Sequence, residues 1–280
     1  MVLRIDAVSS RRQFHFGLAL FLCLGITACS RDGQTQPPQV GPGCLADTGN
    51  LERRRVERVV DGDTLHLVGG DRVRLVGVNT PEIGRDGRAD EPLARDAQRA
   101  LAEMLSSAQE VWLQDGKQRS DRYGRRLAHA FDGDGVSISG RLIARGLGFH
   151  VVIAPNDRYA SCLQAEEAHA RSGRSGVWNE SAFAATPVVA LQPGQGGFTR
   201  VSDRVTRVSF KQNGWWVQLG GKVGVQIDGD ARSRFSRAQL RSLQGREVEV
   251  RGWLIPMKGD WWMMSLDHPS MLHVVGDSVN

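Results

Sequence analysis

Residues 59–82 read VVDGDTLHLVGGDRVRLVGVNTPE. Leu65 and Leu67 alternate with polar residues before Gly69-Gly70-Asp71, and Val73 and Leu75 alternate after it. A period of two is strand spacing, and a Gly-Gly-Asp interruption is hairpin-turn chemistry. The stretch therefore predicts a β-hairpin whose polar residues gather at its ends. Asp61 and Asp63 are two apart and face the same way along a strand. Asn79 lies at comparable depth on the other side, so these oxygens could converge on one hard cation, which prefers oxygen ligands. For Asp61-Gly62-Asp63-Thr64 alone, a plain turn with solvated charges is an equally good reading.

Two further segments shift that balance: Arg74 followed by Asn79-Thr80-Pro81-Glu82, and Asp121-Arg122-Tyr123-Gly124-Arg125. With these three motifs, in this order and spacing, the chain resembles the thermonuclease (staphylococcal nuclease-like) family from about residue 56 to 178. The resemblance implies a five-stranded OB barrel carrying helices. It also implies that Arg74, Arg125 and Glu82 are catalytic, that Asp61, Asp63, Asn79 and Thr80 hold one Ca2+ or another divalent cation, and that Arg122 and Tyr123 touch substrate. The implied activity is calcium-dependent hydrolysis of single-stranded DNA or RNA leaving 3′-phosphate ends.

The residue types suit that chemistry. Substitution at a phosphodiester builds negative charge on the equatorial oxygens, so a catalyst needs fixed positive charge there and a base for the water. Arg74 and Arg125 present permanently ionised forks of donors. Glu82 is the carboxylate left to orient or deprotonate the water. Taken singly, each arginine is more simply a surface salt bridge, and Glu82 a capping acid. Two departures from the family pattern stand out. Asn79 occupies a position where an aspartate is usual, and the segment from Phe149 to Pro155 lacks the tyrosines that stack on the substrate base. Such stacking contributes about 1–3 kcal/mol per base, and Phe149 or Tyr123 are the candidates to replace it.

The N-terminus reads as a targeting segment. Arg11-Arg12 precede an apolar run, Phe16 to Ala28, too short to span a bilayer. Ile26-Thr27-Ala28-Cys29 looks like a bacterial lipobox, which would make Cys29 a lipidated first residue; ordinary secretory cleavage is the alternative, and Ser10 to Phe14 also resembles a twin-arginine signal. Residues 1–28 are thus a signal peptide, and 29–50, with Gln, Pro and Gly and no periodicity, a flexible tether. The implied location is the bacterial envelope, lipid-anchored on a periplasm-facing outer membrane, or soluble and secreted. No protein partner is implied.

From residue 51 to 180 the pattern is mainly β with α. Glu91 to Ser107 predicts a helix capped by Asp90, with Leu93, Ala97, Leu101, Met104 and Leu105 as its core stripe. Glu110–Gln114 and Leu127–Phe131 predict strands. Ser139–Arg145 and Tyr159–Ser172 predict helices ended by Gly146 and Gly173. Residues 181–197 carry no charge after Ser181 and read as a linker. Residues 198–280 predict about five strands with one helix near Ser236–Leu243, a pattern compatible with a second OB-like barrel. Five of the seven tryptophans fall there. Trp253 and Trp261 are expected in the core, with Trp216 and Trp262 as candidate nucleic-acid contacts.

Charge and cysteines bound the function classes. The whole chain has net charge +5, from 36 basic and 31 acidic residues. That permits a polyanion partner without demanding one. There is no CxxC, HExxH, P-loop or GxSxG. Cys23 lies in the leader, and with Cys29 acylated, Cys44 and Cys162 remain as an even pair in an oxidising compartment, which predicts a disulfide. The rival readings are a non-catalytic nucleic-acid-binding OB module and an envelope structural or interaction lipoprotein.

Overall fold

A computed structural model describes residues 44–47, 51–105 and 107–276. The leader, the lipobox cysteine Cys29 and most of the expected tether lie outside the described residues. Among the described residues no helix is long and apolar enough to cross a membrane.

The first barrel is built from β1 (Glu52–Val59), β2 (Thr64–Leu67), β3 (Arg72–Leu75), β5 (Glu110–Ser120) and β6 (Arg126–Phe131). Its strands close in the order β1-β2-β3-β6-β5. Only β3–β6 is parallel. The expected β2–β3 hairpin is present, with Gly69 and Gly70 at φ 101° and 96° making the turn. Leu65, Leu67, Val73, Leu75, Val111 and Leu113 point inward, as their alternation requires, and pack with Leu101, Leu142, Ile143 and Leu163 from three helices. Those helices are α1 (Ala94–Met104), α2 (Ile138–Ala144) and α3 (Ala160–Ser172). A short two-stranded pairing, β4 (Val78–Asn79) with β7 (Phe149–His150), sets Asn79 opposite Phe149.

Two helix ends differ from expectation. Helix α1 starts at Ala94, not Glu91, with Leu93 in the left-handed region as its N-cap. The Asp90 carboxylate is engaged elsewhere, accepting from the Gly84 amide and pairing with Arg95. Gly173 ends α3 without positive φ; Arg174 takes that conformation instead.

The second body repeats the topology. Its strands are β9 (Gly197–Lys211), β10 (Gly214–Leu219), β11 (Val223–Ile227), β12 (Glu247–Met257) and β13 (Trp261–Ser265). β9 pairs with β10, β10 with β11, β11 in parallel with β13, β13 with β12, and β12 back with β9. Helix α4 (Arg237–Ser242), N-capped by Ser236, falls between the third and fourth strands, as α1 does in the first barrel. This is a second closed OB-type barrel, with β14 (Leu272–Val274) added beside β12. Residues 181–197, expected as a linker, hold 3-10 turns and β8 (Thr186–Pro187), which pairs in parallel with β9.

The tryptophan assignment is reversed for three of the four rings. Val248, Val250 and Leu254 face the core of the second barrel, so Trp253, one residue out of phase, faces outward and is 37% exposed. On β13 the buried residues are Trp262, 3% exposed, and Met264; Trp261 is outward and 44% exposed. Trp216 is half-buried.

Buried polar pairs join the two barrels. Arg251 pairs with Glu167 of α3 and donates to the carbonyls of His150 and Ser270. Glu249 is gripped by Arg200 and by Arg171 of α3, each at 2.8 Å. Arg234 reaches Asp157 at 2.6 Å. His150 is fully buried and neutral, its pKa pushed down to about 3 by burial and by nearby Arg251. The Cys44–Cys162 disulfide forms, with Cα atoms 5.4 Å apart, and ties a segment 118 positions upstream onto the start of α3.

Candidate active site

The outer face of the β1–β2–β3 sheet is polar because its inner face is the barrel core. Cross-strand partners Thr64 and Arg74, then His66 and Arg72, with Arg58 beside His66, stand on this outer face. Two loops rise at its edge: residues 60–63 before β2, and residues 80–93 between β4 and α1. Together they enclose a cleft of about 1040 Å3. Its polar walls hold Arg58, Asp61, Arg72, Asn79, Thr80, Glu82, Arg85, Arg88 and Arg125, and a further wall is aromatic.

The two DGDT carboxylates lie in the angle between the loops, both buried. The chain can turn so tightly there because position 62 is glycine: an added Cβ would stand 2.6–2.8 Å from Ala97 and the Thr80 side chain. Asp61 Oδ1 accepts from the Asp63 amide at 3.1 Å. Asp63 Oδ2 accepts from the Thr80 amide at 3.0 Å and the Thr80 hydroxyl at 3.2 Å, which locks the two loops together.

Arg74 is wholly engaged. Its guanidinium donates to the carbonyls of Leu75 and Val78 at 2.6 and 2.8 Å, to Asn79 Oδ1 at 3.0 Å, and pairs with Asp63 Oδ2 at 3.0 Å. Arg74 and Asp63 are absent from the cleft wall itself. Arg125 does line the cleft; Asp121 clamps it, accepting from its side chain at 2.7 Å and its amide at 2.9 Å. Arg122 and Tyr123 stand on the exposed β5–β6 turn outside the cleft wall. Tyr123 is 59% exposed, with the Arg122 guanidinium donating to its hydroxyl at 2.6 Å. Arg72 donates to the Tyr123 carbonyl at 2.9 Å and pins that turn.

Negative charge is in surplus at the loop junction. Burial, together with the Asp63 and Glu82 carboxylates, pushes the Asp61 carboxyl up to about 7. Desolvation in the cleft, and then Asp63, raise Glu82 above the ordinary carboxylate range against the pull of Arg74. Such a surplus suits a bound cation. Among the described residues no group of three or more His, Cys, Asp or Glu side chains is arranged for a metal. The fit therefore rests on the mixed oxygen set of Asp61, Asp63, Asn79 and Thr80. One guanidinium nitrogen of Arg74 within 3.0 Å of both Asp63 and Asn79 shows that two of these oxygens already converge on a single positive group. Oxygen donors of this kind suit a hard divalent ion.

A profile of the staphylococcal nuclease homologue family matches residues 72–180. Thermonuclease from Staphylococcus intermedius is 32% identical over 126 residues, covering 44% of this chain and 74% of that protein. The chain belongs to the staphylococcal nuclease family. Thermonuclease from Staphylococcus hyicus is 30% identical over 134 residues, 46% of this chain and 78% of the relative. Endonuclease YncB from Bacillus subtilis is 30% identical over 132 residues, 46% of this chain. The matched region spans 62% of YncB and 44% of the prophage-derived endonuclease YokF of the same organism. The family profile thus covers the first barrel from β3 onward together with its three helices.

Several cleft residues were not singled out by sequence. Arg85, 3.8 Å from Asp61, and Arg88 come from the loop after Glu82. Their Gly-Arg-Asp-Gly-Arg setting reads as ordinary solvated turn. Arg58, His66 and Arg72 are strand residues whose only signal is their polar phase opposite the core positions.

Proposed function

We propose that the chain is a divalent-cation-dependent phosphodiesterase that hydrolyses single-stranded DNA or RNA, leaving 3′-phosphate ends. One observation carries this reading: Glu82, Arg125 and the oxygens of Asp61, Asn79 and Thr80 line a single arginine-rich cleft. The substrate strand lies along the outer face of β2 and β3, its phosphates facing Arg58, Arg72 and Arg125. Arg125, held by Asp121, meets the equatorial oxygens of the scissile phosphate. Glu82 orients and deprotonates the attacking water; its raised pKa brings it closer to neutral, where a general base works best. A cation held by Asp61, Asp63, Asn79 and Thr80 would add positive charge at the ester and place the water. Arg74, bonded to Asp63 and Asn79 and to the carbonyls of Leu75 and Val78, holds these two oxygens in place beside the cleft.

The location is proposed as the envelope, through a lipid anchor at Cys29. The Cys44–Cys162 bridge supports an oxidising compartment. The test of activity is incubation of leaderless protein with 5′-end-labelled single strands, with calcium or with chelator. Calcium-dependent cleavage to 3′-phosphate products is expected. Binding of the strands without any cleavage in calcium would leave a non-catalytic binding module in its place.

A further inference from the structure

The cleft has a second wall, and that wall comes from the other barrel. Phe198 on β9 and Trp253 on β12 are direct cross-strand partners, with ring centroids 5.3 Å apart. Both line the same cavity as Arg58, Arg72 and Arg125, as does Phe183. Phe149 of the first barrel lies behind them, 2% exposed, with centroids 5.5 Å from Phe198 and 5.9 Å from Phe183.

This wall is held in place by construction. Residues two apart on a strand share a face, so Trp253, Arg251 and Glu249 form one outward row on β12, and Phe198 and Arg200 form the matching row on β9. The charged end of this row is locked to α3 by the Arg251–Glu167 and Glu249–Arg171 pairs. Arg200 continues the lock by donating to the Phe183 carbonyl at 2.7 Å while lying over the Trp178 ring at 4.6 Å. The aromatic end of the same row is thereby delivered to the mouth of the cleft. Trp253 keeps 37% of its surface exposed there.

We propose that Trp253, with Phe198 and Phe183, is the base-stacking wall of the nuclease cleft, so that the second barrel supplies the grip on unpaired bases flanking the cleaved phosphate. The proposal rests on the phosphodiesterase reading above. Arginines on one wall and aromatic rings on the other match the two faces of a single strand, phosphates and bases. A base in a duplex keeps both faces stacked on its neighbours, so this wall selects single strands.

The test is equilibrium binding in chelator, without hydrolysis, of the full leaderless chain to two dye-labelled strands of equal length. One is an oligodeoxynucleotide; the other is the same backbone with abasic sites. Wild-type protein is expected to prefer the base-bearing strand. Trp253→Ala should weaken that strand about 5- to 150-fold, the range set by loss of one stacked base, and leave the abasic strand unchanged. Trp253→Phe should restore most of the loss, and Trp261→Ala, an equally outward tryptophan outside the cleft, should change neither strand. Under turnover, Trp253→Ala should raise KM for oligonucleotides with little change in kcat, and leave a base-free phosphodiester ester unaffected. Equal weakening of both strands by Trp253→Ala, or no wild-type preference for bases, would overturn the stacking wall. Base-selective binding without cleavage in calcium would overturn the phosphodiesterase reading instead and leave the wall standing.

Discussion

At the scale of single residues, Asn79 is the position where local chemistry departs furthest from a strong cation site. Its side-chain oxygen carries no net charge and already accepts from Arg74 at 3.0 Å. Calcium affinity follows the charge of the ligand set, so a neutral amide at one of the four proposed ligand positions would keep such a site weak. Asn79→Asp adds an anionic oxygen at the same point and should lower the calcium concentration that gives half-maximal cleavage, read from a calcium titration at fixed substrate. An unchanged or higher midpoint would remove position 79 from the ligand set. The carboxylates of this site were legible in the sequence as a motif, but not through strand spacing. Residues 60–63 form a bend between β1 and β2, and that bend, with the Asp63 amide donating to Asp61, sets the two side chains together. The engagement of Arg74 was not legible. A lone arginine between apolar strand residues says nothing about the carbonyls of Leu75 and Val78, which only the bend after β3 brings within its reach.

At the scale of elements, β12 shows what alternation can and cannot say. The phase of Val248 and Val250 against Glu249 and Arg251 gave the strand and its inner face. An outward phase says only that a residue faces away from its own barrel. Here the outside is covered by α3 of the first barrel, so Glu249 and Arg251 are buried in ion pairs. Burial alone would raise the Glu249 pKa, but the guanidiniums of Arg200, Arg171 and Arg251 outweigh it and hold the carboxyl below its ordinary value. A carboxylate depressed in the folded state stabilises that state above its unfolded pKa and loses this contribution as pH falls through the folded value. Glu249→Gln should therefore lower Tm clearly at pH 7, because three arginines lose a charged partner. The gap from wild type should shrink as pH falls below the unfolded carboxylate value, about 4.3, and on through the lower value of the folded state. Thermal melts of both proteins across that range check it. A gap that stays constant with pH would mean that the junction draws nothing from this charge.

At the scale of the whole molecule, two barrels of one topology form the described chain, and the first of them carries the nuclease-family match. The hairpin, the helix stripes and the strand count of the second barrel were legible because each depends on periodicity along a short stretch. The closure of that second barrel, through β9 with β12 and β11 with β13, was beyond it, since pairing between distant strands leaves no mark on either one. The aromatic wall was hidden for the same reason: Phe183, Phe198 and Trp253 share a cleft with Arg125 only after both barrels are docked. The central claim concerns what that cleft does to a phosphodiester. It is tested most directly by single-turnover cleavage of an end-labelled single strand in saturating calcium, comparing wild type with Glu82→Gln and Arg125→Ala, each verified as folded by circular dichroism. Loss of a positioned charged group at the reacting phosphate should slow cleavage on the order of 100- to 1000-fold in each variant. Cleavage at near wild-type rate in both variants would contradict the assignment of this cleft as the catalytic site.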